Sequence, residues 1–383
     1  MTGDDITTIA VLGAGDMGHG IAEVALIKGY RVFLRDINRQ FVDKGVARIH
    51  DSLAKLVSKG KVTADHHERI KSELLVPCTD LDDAVREADL VIEAIPEIMD
   101  LKKETFRQID KSAPAHAIFA SNTSTMSISE IAAMTGRPEK MLGLHYFNPA
   151  VLMKLVEVIK GEKTSEETLR IGFDFVLKNK KVPVRVNKDV PGFIVNRVQA
   201  PSSVLLNAIL DMNIAEPEAV DAVMRKLGMP MGPYETMDYT GLDINVHGSN
   251  YYAQAIHPDF APGKTLMAKY EAGELGKKTG KGFFDWSAGR PAIDLSKATD
   301  KFDPMDLVAV NTNEAAKIVE MGVCSFADVD KAIINATGNP MGLIAVAKYM
   351  SPADLSQRLE GLAEKFNKEI FKPSRLIREG AYA

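Results

Sequence analysis

The chain has 383 residues, 45% hydrophobic and 26% charged, with a formal net charge of −5. That length exceeds what one core usually organises, so at least two domains are expected. Mild acidity without a basic segment excludes a nucleic-acid binder.

Cys78 and Cys324 form no CxxC and no metal spacing, so no metal is expected, and both fit a reducing compartment. No apolar run is long enough to span a bilayer. The opening Met-Thr-Gly-Asp-Asp is acidic and a strand is expected from Thr7. A cytoplasmic protein with no leader and no membrane partner is the expectation.

In chain order, apolar runs at Thr8–Leu12, Arg31–Leu34, Leu90–Ala94, Ala117–Ala120 and Met141–Leu144 read as buried strands separated by helical stretches. This is the pattern of an α/β Rossmann-type domain with a mainly parallel sheet. Two further β-rich runs, Leu155–Ile159 and Val182–Val186, flank a helix from Ser165 to Asn179. From Asp189 onward the periodicity is helical. Asp189-Val190-Pro191 offers a cap and an early proline, a predicted helix start. The expected domains are 1–188 for the α/β unit, 189–298 for a first helical unit, and 299–383 for a second helical repeat and tail.

The repeat rests on an echo. Val220-Asp221 precedes Gly228-Met229-Pro230-Met231-Gly232, and Val329-Asp330 precedes Gly338-Asn339-Pro340-Met341-Gly342. Each follows a helical run rich in Asn and Ala, which points to a duplicated helical unit. Gly276-Lys277-Lys278-Thr279-Gly280 is not a phosphate loop, because the Gly-Lys is not followed by Ser or Thr and no strand precedes it.

Gly13-Ala14-Gly15-Asp16-Met17-Gly18 is a G-x-G-x-x-G fingerprint between a predicted strand and an amphipathic helix from Met17 to Lys28. Gly13 permits the turn, Gly15 lets a pyrophosphate approach the backbone, and Gly18 lets helix and strand pack. With Asp16 and Met17 they open a helix whose unpaired N–H groups suit phosphates. Asp36 ends the second strand, where a carboxylate takes a ribose hydroxyl and repels a 2′-phosphate, favouring NAD over NADP. FAD is the competing dinucleotide.

Ligands of such sheets bind beyond the carboxyl ends of the strands. There the sequence collects Pro96-Glu97 with Lys102, then Ser121-Asn122-Thr123-Ser124, then His145-Tyr146-Phe147-Asn148-Pro149. His145 is the best general base, since imidazole titrates near neutrality. Glu157, a carboxylate inside the apolar run 155–159, needs a partner. It is a candidate to orient His145, with Lys154 or solvent as alternatives. Taken alone, His145 could be structural, and Ser124 could cap the helix that includes Ile128–Ala132.

These motifs together resemble the L-3-hydroxyacyl-CoA dehydrogenase family of fatty-acid β-oxidation. The resemblance rests on the fingerprint with Met17-Gly18-His19-Gly20-Ile21-Ala22, and on Ala120-Ser121-Asn122-Thr123-Ser124. It rests also on Gly143-Leu144-His145-Tyr146-Phe147-Asn148-Pro149, on Lys154-Leu155-Val156-Glu157-Val158, and on Pro191-Gly192-Phe193-Ile194-Val195-Asn196-Arg197. It implies NAD-linked interconversion of (S)-3-hydroxyacyl-CoA and 3-ketoacyl-CoA, with His145 as base paired to Glu157. Ser124 and Asn196 would contact the substrate oxygen, in a cleft between domains. It implies NAD contacts at Glu97, Lys102, Ser124, Asn148 and Lys278, and CoA contacts at Ser52 and Lys59 on a helical hairpin. Lys59 could equally be a solvated lysine.

Short members of this family dimerise through the helical unit, so a second copy could replace a partner and leave a monomer, or build a different homodimer. Some multifunctional relatives continue into an enoyl-CoA hydratase domain, which leaves open whether this chain is fused to or associated with one. Two rival readings stand beside this one. The first is an NAD-dependent dehydrogenase of a free hydroxy acid, such as a sugar acid or carnitine. The second is a non-catalytic NAD-binding protein. The long hairpin Asn38–Glu73 speaks against the first, and joint retention of His145, Glu157, Ser124 and Asn196 against the second.

Overall fold

A computed structural model describes Gly3 and residues 5–383. Met1, Thr2 and Asp4, which share in the reading of an acidic start, lie outside the described residues. The chain divides into two units: residues up to Val195 together with Gly322–Gly342, and Asn196–Met321 together with Leu343–Ala383.

In the first unit the apolar runs become strands β1 (Thr8–Leu12), β2 (Arg31–Arg35), β3 (Leu75–Cys78), β4 (Leu90–Glu93), β5 (Ile118–Ser121), β6 (Met141–Tyr146), β7 (Leu155–Ile159) and β8 (Val182–Val186). They form one sheet in the order β3-β2-β1-β4-β5-β6-β7-β8. Every pair is parallel except β6 with β7. The expected α/β class is borne out. β3 escapes the sequence reading because it has four residues, includes Pro77, and pairs on one side only, where a proline is tolerated.

Helices α1 (Asp16–Ile27), α2 (Arg39–Ser58), α3 (Ala64–Arg69), α4 (Leu81–Val85), α5 (Met99–Ser112), α6 (Ile128–Ala132) and α7 (Glu166–Lys178) connect the strands. Ile9, Val11, Leu34, Ile92, Ala120 and Leu144 sit in a core with no exposed surface. The hairpin read from Asn38 to Glu73 is α2, capped by Asn38, then α3, capped by Thr63, then a π-helical turn Ile70–Leu74.

The helix predicted to start at Asp189-Val190-Pro191 does not start there. Gly192 and Phe193 adopt positive φ of 77° and 54°, which breaks a helix, and α8 (Val195–Asp211) begins beyond them. The Asp189 carboxylate serves another element instead. It accepts from the Ser127 hydroxyl at 2.7 Å and from Ser129 N at 2.8 Å, at the start of α6.

Beyond α8, the chain continues through α9 (Pro217–Lys226), α10 (Pro233–Thr240), α11 (Leu242–Ala255), α12 (Lys264–Glu271), α13 (Pro304–Glu320), α14 (Phe326–Thr337), α15 (Leu343–Ala347), α16 (Pro352–Phe366) and α17 (Arg375–Arg378). Within the second unit, Arg197 on α8 and Glu314 on α13 form a buried pair at 2.5 Å. The echo in the sequence is a structural repeat with a physical cause. A Cβ on Gly232 would lie 2.1 Å from Asp221 Cγ, and one on Gly342 would lie 2.2 Å from Asp330 Cγ. Only glycine leaves room for the aspartate side chain at each of these two positions. Asp221 accepts from Tyr234 N at 3.0 Å and Glu235 N at 2.8 Å.

Candidate active site

The glycine loop lies between β1 and α1. Gly13 has φ 103°, and a Cβ there would lie 2.4 Å from Ala94 O. A Cβ on Gly18 would lie 1.8 Å from Gly13 O, while at Gly15 it would meet nothing within 4 Å. Gly13 and Gly18 are thus demanded by the fold, and Gly15 leaves open space at the helix N-terminus. Gly15 is also the N-cap of α1, with no side-chain cap. Asp36 accepts from Ala14 N at 2.8 Å and from Ile37 N at 2.7 Å, which ties the end of β2 to the loop. This set fits a dinucleotide: donors and room for a pyrophosphate, with a carboxylate one strand away. Asp16 turns outward to pair with Arg48, and Met17 packs against the core.

A second cluster follows β4 and β5. Lys102, 1% exposed, holds Glu93 at 2.6 Å and Glu97 at 3.1 Å, with Ile95 O at 3.3 Å. Glu93 also accepts from Ile95 N and the Ser121 hydroxyl. Glu97 accepts from the Thr123 hydroxyl at 2.5 Å and Ser124 N at 3.0 Å. Burial pushes the Glu97 carboxyl up, but the Lys102 ammonium and these donors outweigh it and hold the pKa below the ordinary carboxylate value. The structure therefore brings Glu97, Lys102 and Ser124 together. Ser124 does not cap α6, a task that falls to Ser127.

Glu93 and Thr123 were not singled out from sequence. The signal for Glu93 was the one used for Glu157, a carboxylate at the end of an apolar strand. Thr123 had no such signal.

His145 and Glu157 are direct cross-strand partners of the antiparallel β6–β7 pair. The histidine was read as following its strand, but β6 runs through it to Tyr146. Nδ1 donates to Glu157 Oε2 at 2.6 Å, with the two residues 4% and 0% exposed. The other carboxylate oxygen accepts from Ile194 N at 3.1 Å and Val195 N at 2.9 Å, just past the left-handed turn at Gly192-Phe193. The rings of Phe147 and Phe193 flank the imidazole, at 4.5 and 5.8 Å between centroids. With the proton on Nδ1, Nε2 carries a lone pair, the form a general base requires.

The remaining predicted residues have separate settings. Asn148 is exposed and precedes a cis proline. Ser52 is half-buried on α2 and Lys59 is the exposed C-cap of that helix. The Ser52 hydroxyl lies near Glu23 on α1, a fully buried carboxyl whose oxygens lack hydrogen-bond partners of good geometry. Burial pushes the Glu23 pKa up to about 7, with Ser52 opposing. Asn196 and Lys278 belong to the second unit, where Lys278 pairs with Asp243. Among the described residues, no three His, Cys, Asp or Glu side chains are placed to hold a metal ion.

A dinucleotide-type glycine loop, a carboxylate at the end of β2 tied to that loop, and a buried His–Glu pair are the marks of an NAD-linked oxidoreductase. The family model for the 3-hydroxyacyl-CoA dehydrogenase NAD binding domain matches residues 8–190, and that for the C-terminal domain matches 192–286 and 307–382. The chain belongs to the 3-hydroxyacyl-CoA dehydrogenase family.

A probable 3-hydroxybutyryl-CoA dehydrogenase of Bacillus subtilis is 42% identical, over 74% of this chain and 98% of that one. A 3-hydroxyadipyl-CoA dehydrogenase of Escherichia coli K12 is 41% identical over 79% of this chain, which spans only 64% of that relative's length. The solved structure of a 3-hydroxybutyryl-CoA dehydrogenase from E. coli K12 superposes with a TM-score of 0.89 at 31% identity, covering 98% of both chains.

Proposed function

We propose that this chain interconverts 3-hydroxyacyl-CoA and 3-ketoacyl-CoA thioesters, with His145 as the general base. The observation that carries the reading is the buried His145–Glu157 pair in the unit that holds the glycine loop. His145 Nε2 takes the proton of the 3-hydroxyl. Glu157, fixed by two backbone N–H groups, steadies the imidazolium that results. Ser124 and Asn196 hold the substrate oxygen. NAD, when bound, supplies the hydride acceptor. Gly13, Gly15, Asp16, Met17, Gly18 and Asp36 cradle its adenosine half, with Glu97, Lys102, Ser124, Asn148 and Lys278 towards its other end. Ser52 and Lys59 receive CoA on the α2 hairpin.

The deciding experiment follows NADH absorbance on addition of acetoacetyl-CoA, with NADPH and free acetoacetate in parallel. Oxidation of NADH with the thioester alone is the expected result. Turnover of the free acid would replace the reading with a hydroxy-acid dehydrogenase. No turnover at all, with NADH still bound, would favour a non-catalytic NAD-binding protein.

We assign the enzyme to the cytoplasm, in keeping with its two free cysteines. Among the described residues no helix is long and apolar enough to cross a membrane. The duplicated helical unit stands in for a partner subunit, so light scattering should return the 41.8 kDa of one chain. A mass of twice that would overturn this assignment.

A further inference from the structure

The second helical copy does not stay with the helices it duplicates. Its segment Gly322–Gly342 belongs to the first unit, while the flanking α13 and α15 belong to the second. α14 packs on β7 and β8, the two strands at the sheet's far edge. Three contacts fasten it. Asn187 N, just past β8, donates to Val323 O at 2.8 Å. Lys331 Nζ donates to Pro183 O at 2.9 Å. Gly322, with φ 73°, lies against the Lys188 side chain. A Ser325–Asp328 capping box starts the helix directly after this seam.

The strands under this cover are those of the catalytic carboxylate. Glu157 lies opposite Val184 in the β7–β8 register, next to the Pro183 that Lys331 holds. Val323 is fully buried and Cys324 nearly so. Burial pushes the Cys324 thiol pKa up to about 12, and the charges of Asp328 and then Glu157 add to the shift.

We propose that the segment Gly322–Thr337 is a positioning element for the His145–Glu157 pair. Val323 and Cys324 wall water away from the carboxylate, and Lys331 fixes the strand beside it. The inference rests on His145 and Glu157 acting as proposed above. A dry surround makes the Glu157 charge act on the imidazolium at low dielectric, where a given charge pair interacts more strongly than in water. Relatives matched over almost their whole length by about three quarters of this chain have no room for a second copy. In this chain the duplicate has taken on a task for the reaction.

The test is the pH profile of kcat/KM. In Val323→Ala/Cys324→Ala, water enters behind Glu157 and the imidazolium loses support. The acid limb should move to lower pH by about half a unit. The kcat should fall severalfold, with KM for NAD and for acetoacetyl-CoA unchanged. Cys324→Val keeps the wall apolar and filled and should keep the parent profile, and Lys331→Met should reproduce part of the kcat loss. If the double variant does not fold, Cys324→Ala alone carries the test with a smaller shift. An alanine profile that superposes on the parent, with only the melting temperature lowered, would reduce the segment to a structural role. Full turnover in His145→Gln would instead strike the base assignment, so the two failures are distinguishable.

Discussion

Two strands of the sheet each bury a carboxylate, and the two sites diverge from there. Glu157 on β7 and Glu93 on β4 are both fully buried. Each accepts backbone N–H donation, and each has one ionisable partner within 2.6 Å. The partner decides what the site does. Glu157 faces an imidazole, a group with one ring nitrogen free to take up and release a proton. Glu93 faces the ammonium of Lys102, which is shared with the neighbouring Glu97 and ties the two carboxylates together. Glu23 on α1 is a third case, buried with no such partner, and its pKa rises to about 7 in consequence.

Breaking each arrangement should have a different readout. His145→Gln should lower kcat by about 10²–10⁴-fold while leaving the fold and NADH binding intact, measured by turnover and fluorescence titration. Lys102→Met should act on stability first. It strands Glu93 in the interior, and a loss of about 3–5 kcal/mol in urea unfolding is expected.

Glu23→Gln should stabilise the protein, and only above mildly acid pH. A carboxyl whose folded pKa exceeds its unfolded value holds its proton longer in the native state. The unfolded chain therefore gains as pH rises from about 4.5 to about 7. The variant's advantage should be absent below that window and reach up to about 3 kcal/mol above it. Matching melting curves at pH 8 would remove the premise. The smallest effect belongs to Glu97→Gln. Its side chain is 40% exposed, so stability should change by less than about 1 kcal/mol. The KM for NAD should rise severalfold.

Local chemistry was legible in the sequence wherever one short stretch contained both the cause and the effect. The strands Thr8–Leu12, Leu155–Ile159 and Val182–Val186 match their apolar runs to the residue. Of the fingerprint glycines, Gly13 and Gly18 are ones that the packing demands, while Gly15 leaves open space at the helix N-terminus. The repeat was visible because its Asp and Gly lie close in sequence.

What escaped depended on distant partners. Asp189 reads as a helix cap for its own segment, but the acceptors it offers are used at the start of α6, 60 and 62 positions earlier. Glu93 is hard to read from sequence because its partner Lys102 lies nine residues on, in the next helix, and reads equally well as a ligand contact. The destination of α14 was hidden for the same reason. Its amphipathic pattern announces a buried face without saying which sheet will cover it.

The placement of the base within a ladder has a consequence for how the enzyme loses activity. His145 and Glu157 are joined by the interstrand pairing of β6 and β7, both flanked on either side by further strands. Amides in such positions exchange with solvent only when a whole cooperative block opens, whereas loop-borne constellations can come apart by local breathing. Deuterium uptake at residues 143–146 and 156–159 should therefore be among the slowest in the chain. Heating or denaturant should leave the proton-transfer pair assembled until the sheet itself gives way, so that the decay of turnover and the melting of the domain follow a single curve.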